Sequence, residues 1–433
     1  MKANFQLIIL IIFIVAAIFG ILVFSGAIPI GSNGSQVSQN TVVMWGTIPE
    51  DVMANPIDAF NKANTAYTVK YVQKSADTFD QNLLEALASG TGPDIFLLPD
   101  NLAFHYANKI VTIPYTSYPL ATFKNTFAGA GEIFLTSKGV LAFPMTIDPL
   151  MMYYNRSILD SNGIVYPPAT WDDLISMAQT LTKKDASGKI TQSEIALGEF
   201  SNVVHAKDIM TAMFMQTGNP IIAQNSTTGN YVSVLNSQTM AYNLPAVLGE
   251  YTDFANPTST SYSWNKSLGN SDDVFSAEGS AFYFGYASEL KTLINKNPNQ
   301  NFFVAPLPQI KGSNTKVTGA RVTGLAISSS SKNFSSAFAV ASLMATTNFA
   351  SNFASATGVP PARRDLLAIK GTDAYSPIFY DSALYAQTWM DPSPSDTDSI
   401  WSSMVDEVLS GNMSTTDAIK DADSKLSLLL PSS

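Results

Sequence analysis

The 433-residue chain contains no cysteine and only two histidines, His105 and His205. Without cysteine there is no disulfide, no thiolate metal site, no cysteine nucleophile and no lipid-modified cysteine at the amino terminus. Neither histidine has a second one at helical spacing, so a histidine-based zinc site is not expected. Charge is also sparse. Asp, Glu, Lys and Arg make up 13% of the residues, with a formal net charge of −10. Lys and Arg form no stripe, which argues against nucleic-acid binding, and the acidic balance disfavours adhesion to anionic lipid headgroups. Missing too are a G-x-S-x-G elbow, a P-loop, a dinucleotide-binding glycine fingerprint and an H-E-x-x-H pair. A Ser-His-Asp triad would have to use His105 or His205, and no motif surrounds either. Nothing marks two of the 34 acidic residues as a glycosidase pair. The sequence thus predicts no enzyme, no cofactor and no metal.

One long apolar run is present. Phe5 to Phe24 is broken only by Gln6. As a helix it reaches roughly 30 Å, the thickness of a bilayer core. Residues 1–26 therefore read as a transmembrane anchor, with a cleavable signal as the alternative because Ser25 and Ala27 suit a cleavage rule. Lys2 precedes the run and the next basic residue is Lys62, so the positive-inside rule puts the remainder outside the cytoplasm. Residues 27–40 are rich in Gly, Ser, Asn and Gln and read as a flexible tether, with folded structure beginning near Thr41.

Strand and helix patterns then alternate. TVVMW (Thr41 to Trp45), YTVKYV (Tyr67 to Val72) and DIFLL (Asp94 to Leu98) are strand-like, and Asp51 to Asn61 is helical. Thr78 opens a second helix with Gln81 as capping-box partner and Gly90 as its stop. Thr170 caps another, with Asp173 closing the box, and Ser414 to Leu430 is amphipathic. Further strands are expected at Ala281 to Phe284, Phe302 to Ala305 and Gly324 to Ile327. This βαβ rhythm predicts a mostly parallel sheet covered by helices. Aromatic residues make up 11% of the chain. Aromatic faces beside carboxylates and amides suit a sugar: the ring covers C–H bonds while Asp and Asn take hydroxyl hydrogens. The same rings also serve ordinary cores.

Three stretches carry a family resemblance: GTGPDIFLLPD (Gly90 to Asp100), FPMTIDPLMMYYNRSILDSNGIVYPPATWDDLISMAQTLT (Phe143 to Thr182) and FSAEGSAFYFGY (Phe275 to Tyr286). APLPQI, GLAISSSSKNFSSAFAVASLM and GVPPARRD continue in order. Together they resemble bacterial extracellular solute-binding proteins of the maltose-binding type (family 1), from Thr41 to the end. That resemblance implies an α/β, two-lobed periplasmic-binding-protein-like (type II) fold with a hinge, here preceded by the transmembrane helix. Residues 41–145 plus 312–362 would form the N-terminal lobe and 146–311 plus 363–433 the C-terminal lobe. Crossings would lie near Met145–Asp148, Lys311–Val317 and Gly358–Arg364.

The resemblance further implies a carbohydrate captured between closing lobes, ABC permease subunits as partners, and a monomer. It points to Asp148 as a sugar-binding carboxylate, to Asp100 and the Asn101 that follows it, to Tyr286 and Trp401 as stacking rings, and to Trp45 and Thr47 at the end of the first strand. Tyr153 and Tyr154 should split between the two faces of a strand. Asp148 alternatively hydrogen-bonds the hinge, Asp100 alternatively caps a helix, and Trp401 alternatively belongs to the core. Leu97 and Leu98 stand where those proteins carry an aromatic residue, which keeps a peptide, polyol or other polar solute open as ligand, alongside a surface sensor without transport.

Overall fold

The computed structural model describes residues 41–225, 230–237 and 243–430. The apolar run and the tether fall on residues 1–40, outside the described residues. Among the described residues no helix is long and apolar enough to cross a membrane.

The strands that position the site are β1 (Thr41–Gly46), β2 (Thr68–Gln73), β3 (Ile95–Pro99), β4 (Ala142–Asn155), β5 (Ile190–Ile195), β6 (Ser280–Tyr286), β7 (Phe302–Pro306), β8 (Thr318–Ile327) and β9 (Ala386–Gln387). The main helices are α1 (Glu50–Ala63), α2 (Phe79–Ser89), α3 (Trp171–Leu181), α4 (Ala206–Gln216), α5 (Leu244–Asp253), α6 (Thr347–Thr357), α7 (Ser376–Leu384), α8 (Pro394–Leu409) and α9 (Thr415–Leu429).

Local signals account for several boundaries. In β1 burial alternates, with Val42 and Met44 turned into the core, as period-two side-chain placement requires. The Thr170 hydroxyl accepts from the Asp173 N–H while the Asp173 carboxylate accepts from the Thr170 N–H, the capping box expected for α3. At α2 Thr78 is the N-cap residue but makes no capping bond. Its hydroxyl instead accepts from the Asn82 amide at 2.8 Å, and Gln81 turns to Glu85. Gly90 ends α2 at φ 69°, a left-handed conformation that glycine adopts without a Cβ clash. In α9, Ala418, Ile419, Ala422 and Leu426 form the buried stripe.

The sheet runs β2-β1-β3-β8-β4-β6-β5 and ends on the short strand Lys183–Lys184, with β7 beside β4 and β9 beside β8. It is mixed: β1 pairs β3 in parallel and β6 pairs β5 in parallel, whereas β8 and β4 run antiparallel to their neighbours β3, β4, β6 and β7. The mostly parallel sheet expected from the rhythm is corrected at its centre by these two long strands.

Strand β4 spans 14 residues and changes partners partway. Ala142 to Pro149 pair with β8, and Leu150 to Asn155 pair with β6 and β7. Proline is rare inside sheets because it donates no ladder bond. Pro144 sits at a bulge, where the register with β8 shifts between Thr323 and Gly324. Pro149 sits where β4 passes from one set of partners to the other. Beside the bulge, Met145 O accepts from the Ala362 N–H at 3.0 Å and Ile147 N donates to Pro360 O at 3.0 Å.

Buried apolar side chains form three clusters. One surrounds β1, β3 and the first half of β4, and includes Phe353, Leu367, Ala383 and Ala386. A second joins α3, α4, α5, α8 and α9 to β6. A smaller third packs Tyr153, Phe275, Tyr283 and Phe302 together. One core sits at each end of the long strands, and the sheet between them is continuous.

Candidate functional site

A cleft of about 1450 Å³ opens where β4 and β8 pass between the two cores, and both cores supply its walls. That is larger than the roughly 300–1,000 Å³ typical of drug-sized pockets. Its floor consists of the middle of β4, the first half of β8 and the end of β3. Asp148 of β4 lies directly opposite Arg321 of β8 in the antiparallel register. Thr323, two residues along, lies opposite Pro99, and Asp100 follows Pro99.

Asp148 is 9% exposed and Asp100 is 6% exposed. The Ser288 N–H donates to Asp148 Oδ1 at 3.0 Å, and the Thr388 hydroxyl donates to Asp100 Oδ2. Burial pushes the Asp148 carboxyl up to about 6, against the hydrogen bonds from Ser288 and the nearby Arg321 charge. Burial likewise pushes Asp100 up to about 6, against Thr388, the Val322 backbone and Arg321. A low-dielectric site disfavours the charged form of each.

Arg321 lies between these carboxyls with its side chain about half exposed to the cleft. Its Nη2 donates to Asp208 Oδ2 at 3.0 Å and to His205 Nδ1 at 3.3 Å. The guanidinium carbon stands 4.0 Å from the centre of the Tyr286 ring, within cation–π range. Burial works against its charge, but Tyr286, Asp208 and Asp148 outweigh that and keep it protonated. The other ring nitrogen of His205, Nε2, lies 2.5 Å from Glu289 Oε1, and Nδ1 also stands 3.7 Å from Asp208 Oδ2. Glu289 also accepts from the Tyr283 hydroxyl at 2.6 Å and the Tyr286 N–H at 3.3 Å. Burial alone would raise Glu289; the bonds from His205, Tyr283 and Tyr286 hold it below its usual range. His205 adopts φ 64°, unusual for a side-chain-bearing residue. This places its ring between Glu289 and Arg321 just before α4 begins.

The α4 start has a second attachment. Lys207 Nζ contacts Asp391 Oδ2 at 3.0 Å, Thr397 Oγ1 at 3.0 Å and Pro394 O at 3.1 Å, and Asp398 Oδ1 at 3.0 Å. Asp391 is 3% exposed; burial raises its carboxyl despite Lys207. Two residues earlier, Trp389 lies on the cleft wall, half-buried, and stacks on Trp401 at 5.5 Å and 27°.

Of the residues singled out in the sequence, Thr47, Asp100, Asn101, Asp148 and Tyr286 line the cleft, and Trp45, Tyr153 and Trp401 do not. Trp45 is half-buried under Lys74 Nζ, 3.7 Å from its ring centre. Tyr153 is fully buried and its hydroxyl donates to Tyr286 O at 2.8 Å. Trp401 is fully buried, so the ring that faces the cleft at this point is Trp389, with Trp401 behind it. Tyr286 is only 2% exposed and Arg321 covers its face, which leaves that face no room for a stacked sugar. Arg321 and Trp389 escaped the sequence reading. A signal existed for Arg321: it is one of four arginines and the lone charge in the apolar stretch from Val317 to Ile327. Trp389 carries no such mark. Among the described residues no group of three or more His, Asp or Glu could hold a metal ion.

Known proteins share this architecture. The sugar-binding protein of the phytopathogen Xanthomonas citri superposes with a TM-score of 0.72 at 18% identity, covering 90% of this chain and 97% of that one. A cyclo/maltodextrin-binding protein complexed with maltotetraose gives 0.72 at 17% identity, covering 89% and 96%. A cyclic alpha-maltosyl-1,6-maltose binding protein from Arthrobacter globiformis gives 0.72 at 16%, covering 90% and 98%. In sequence, a candidate binding protein of Brucella abortus (strain 2308) is 28% identical over 121 residues, 27% of this chain. The chain spans 28% of the length of that curated relative. The model of the bacterial extracellular solute-binding protein family matches residues 47–347, and the chain belongs to that family.

Proposed function

We propose that the chain captures a sugar or oligosaccharide in the cleft and delivers it to the permease subunits of an ABC import system, doing no chemistry on it. The observation that carries the sugar reading is the floor and wall of one cleft. Buried Asp100 and Asp148 accept hydroxyl hydrogens, Arg321 donates, and Trp389 presents a half-exposed ring to C–H faces. The sugars named for the structural neighbours support the same ligand class.

In this reading the cores at the two ends of β4 and β8 are lobes that close over the ligand, a population shift toward the closed state. The lobe boundaries proposed are those expected from the sequence, with a change at the third crossing. Leu367, Ala383 and Ala386 pack in the first core, which favours a crossing at Ala386–Trp389 over one at Gly358–Arg364. Residues 1–26 would anchor a monomer at the outer face of the membrane, or be cleaved as a signal.

A thermal-shift screen of the full chain against neutral sugars, polyols and peptides tests this. A ligand at 100 times its dissociation constant stabilises by about 2.7 kcal/mol. Stabilisation by peptides with none by any sugar would sink the carbohydrate reading.

A further inference from the structure

The ionic groups around the cleft do not balance. Six aspartates line it against Lys207, Lys291 and Arg321. Two of the three cations already have carboxylate partners in the wall, although Arg321 still faces the cleft. Lys207 is 14% exposed at its side chain and is bound by Asp391 and Asp398. Arg321 is bound by Asp208. Lys291 is exposed beyond the Ala287–Glu289 turn. On the floor this leaves Asp100 and Asp148, both more than nine-tenths buried, with only Arg321, already paired, between them. Glu289 adds a further carboxylate behind Asp148. Glu289 is taken up inside the wall by His205 Nε2 at 2.5 Å and by the Tyr283 hydroxyl at 2.6 Å, so the two floor aspartates carry the imbalance.

We infer that the cleft selects its ligand by charge: it admits neutral and amine-bearing oligosaccharides and rejects those carrying carboxylates or phosphates. The inference rests on the carbohydrate reading above and narrows it. An anionic group entering the floor meets two carboxylates in a medium that screens them poorly, and like-charge juxtaposition is costly there. A hydroxyl or an ammonium donates to the same oxygens. An ammonium in addition supplies the counter-charge that burial has denied Asp100 and Asp148. The exclusion comes from groups built into the floor, so it acts on any ligand group that reaches Asp100 and Asp148, a form of selection against wrong ligands as much as for right ones.

The test uses matched trios on maltotetraose, mannotetraose and cellotetraose: the parent, its C6-carboxylate and its C6-amine. The full chain is titrated calorimetrically with each at pH 7.5 and low salt. On any scaffold that binds, the carboxylate should bind roughly tenfold or more weakly than the parent, and the amine as tightly or more tightly. At high salt the gap should narrow. In Asp100→Asn and Asp148→Asn the ratio between carboxylate and parent should shrink even where affinity for the parent falls. That ratio is read within one protein, so a general loss of affinity leaves it interpretable. A carboxylate that binds within about threefold of its parent overturns the charge inference and leaves the carbohydrate reading standing. No binding by any neutral or aminated member overturns both.

Discussion

Replacing Asp148 by Asn should make the unliganded protein more stable while weakening ligand binding. The buried carboxyl is held at about 6 against an ordinary 3.8. Each unit of such a shift corresponds to about 1.4 kcal/mol, so the two-unit difference amounts to roughly 3 kcal/mol. The sign follows from proton counting. Between 3.8 and 6 the folded protein holds this proton more often than the unfolded chain does, so stability falls as pH rises through that window. Below it the group exacts no penalty; above it the whole penalty is present. The figure is already net of Arg321's attraction and the Ser288 bonds, because these oppose burial in setting the shift. An Asn side chain never ionises, and its Oδ1 still accepts from the Ser288 N–H. Asp148→Asn should therefore match wild type near pH 3.8 and exceed it by up to roughly 3 kcal/mol at pH 7.5. At about 2.1 cal/mol/K per residue over the unit from Val42 to Ser433, that is roughly 4 °C in melting temperature. Calorimetry of both proteins across pH 4 to 8 measures the difference. A variant that is less stable than wild type at pH 7.5, or a gap that does not grow with pH, would refute the reasoning and make Asp148 a structural hydrogen-bonding group of the hinge.

The two stacked tryptophans should respond differently. Trp389→Ala should cost little stability and weaken sugar binding roughly tenfold, whereas Trp401→Ala should cost about 3–5 kcal/mol in chemical denaturation because it empties a core position. Lys207→Met leaves the Asp391 carboxylate buried without its cation, which should cost about 3–5 kcal/mol by the same measurement. Thr170→Ala removes the bond to the Asp173 N–H and should cost about 1 kcal/mol without changing affinity.

Much of the architecture was legible because it is local. The alternation in Thr41 to Trp45, the box at Thr170 and the stripe of α9 are decided by neighbours a few residues apart, so pattern and structure agree. Thr78 shows the limit of such a pattern: the spacing to Gln81 suits a capping box, but Asn82 takes the Thr78 hydroxyl. The centre of the sheet was harder. Two prolines argue against one long strand, and only the bulge at Pro144 and the change of partners at Pro149 show how β4 accommodates them. The floor aspartates stood out because the family resemblance points to both positions; Asp100 in addition follows a recognisable strand end. Trp45 and Tyr153 lie off the cleft, as does Trp401, for which the core alternative holds, because an aromatic residue reads the same in sequence whether it fills a core or faces a groove. The bonds from His205 to Glu289 and from Lys207 to Asp391 join residues 84 and 184 positions apart, a separation that no local pattern encodes.

The pairing of Asp148 with Arg321 across β4 and β8 places both on the strands that connect the two cores. When one body turns against another, displacement grows with distance from the axis, and in the proposed closure this ladder of hydrogen-bonded strands would be that axis. The floor groups are therefore the short arm of the lever, and ligand contacts made away from the ladder are its long arm. Contacts made first to the floor would survive a change of angle almost unaltered, while contacts to the outer wall would be won or lost with it. Such a layout separates two decisions: the axis judges what the ligand is, and the rim judges whether it fills the space well enough to hold the angle shut.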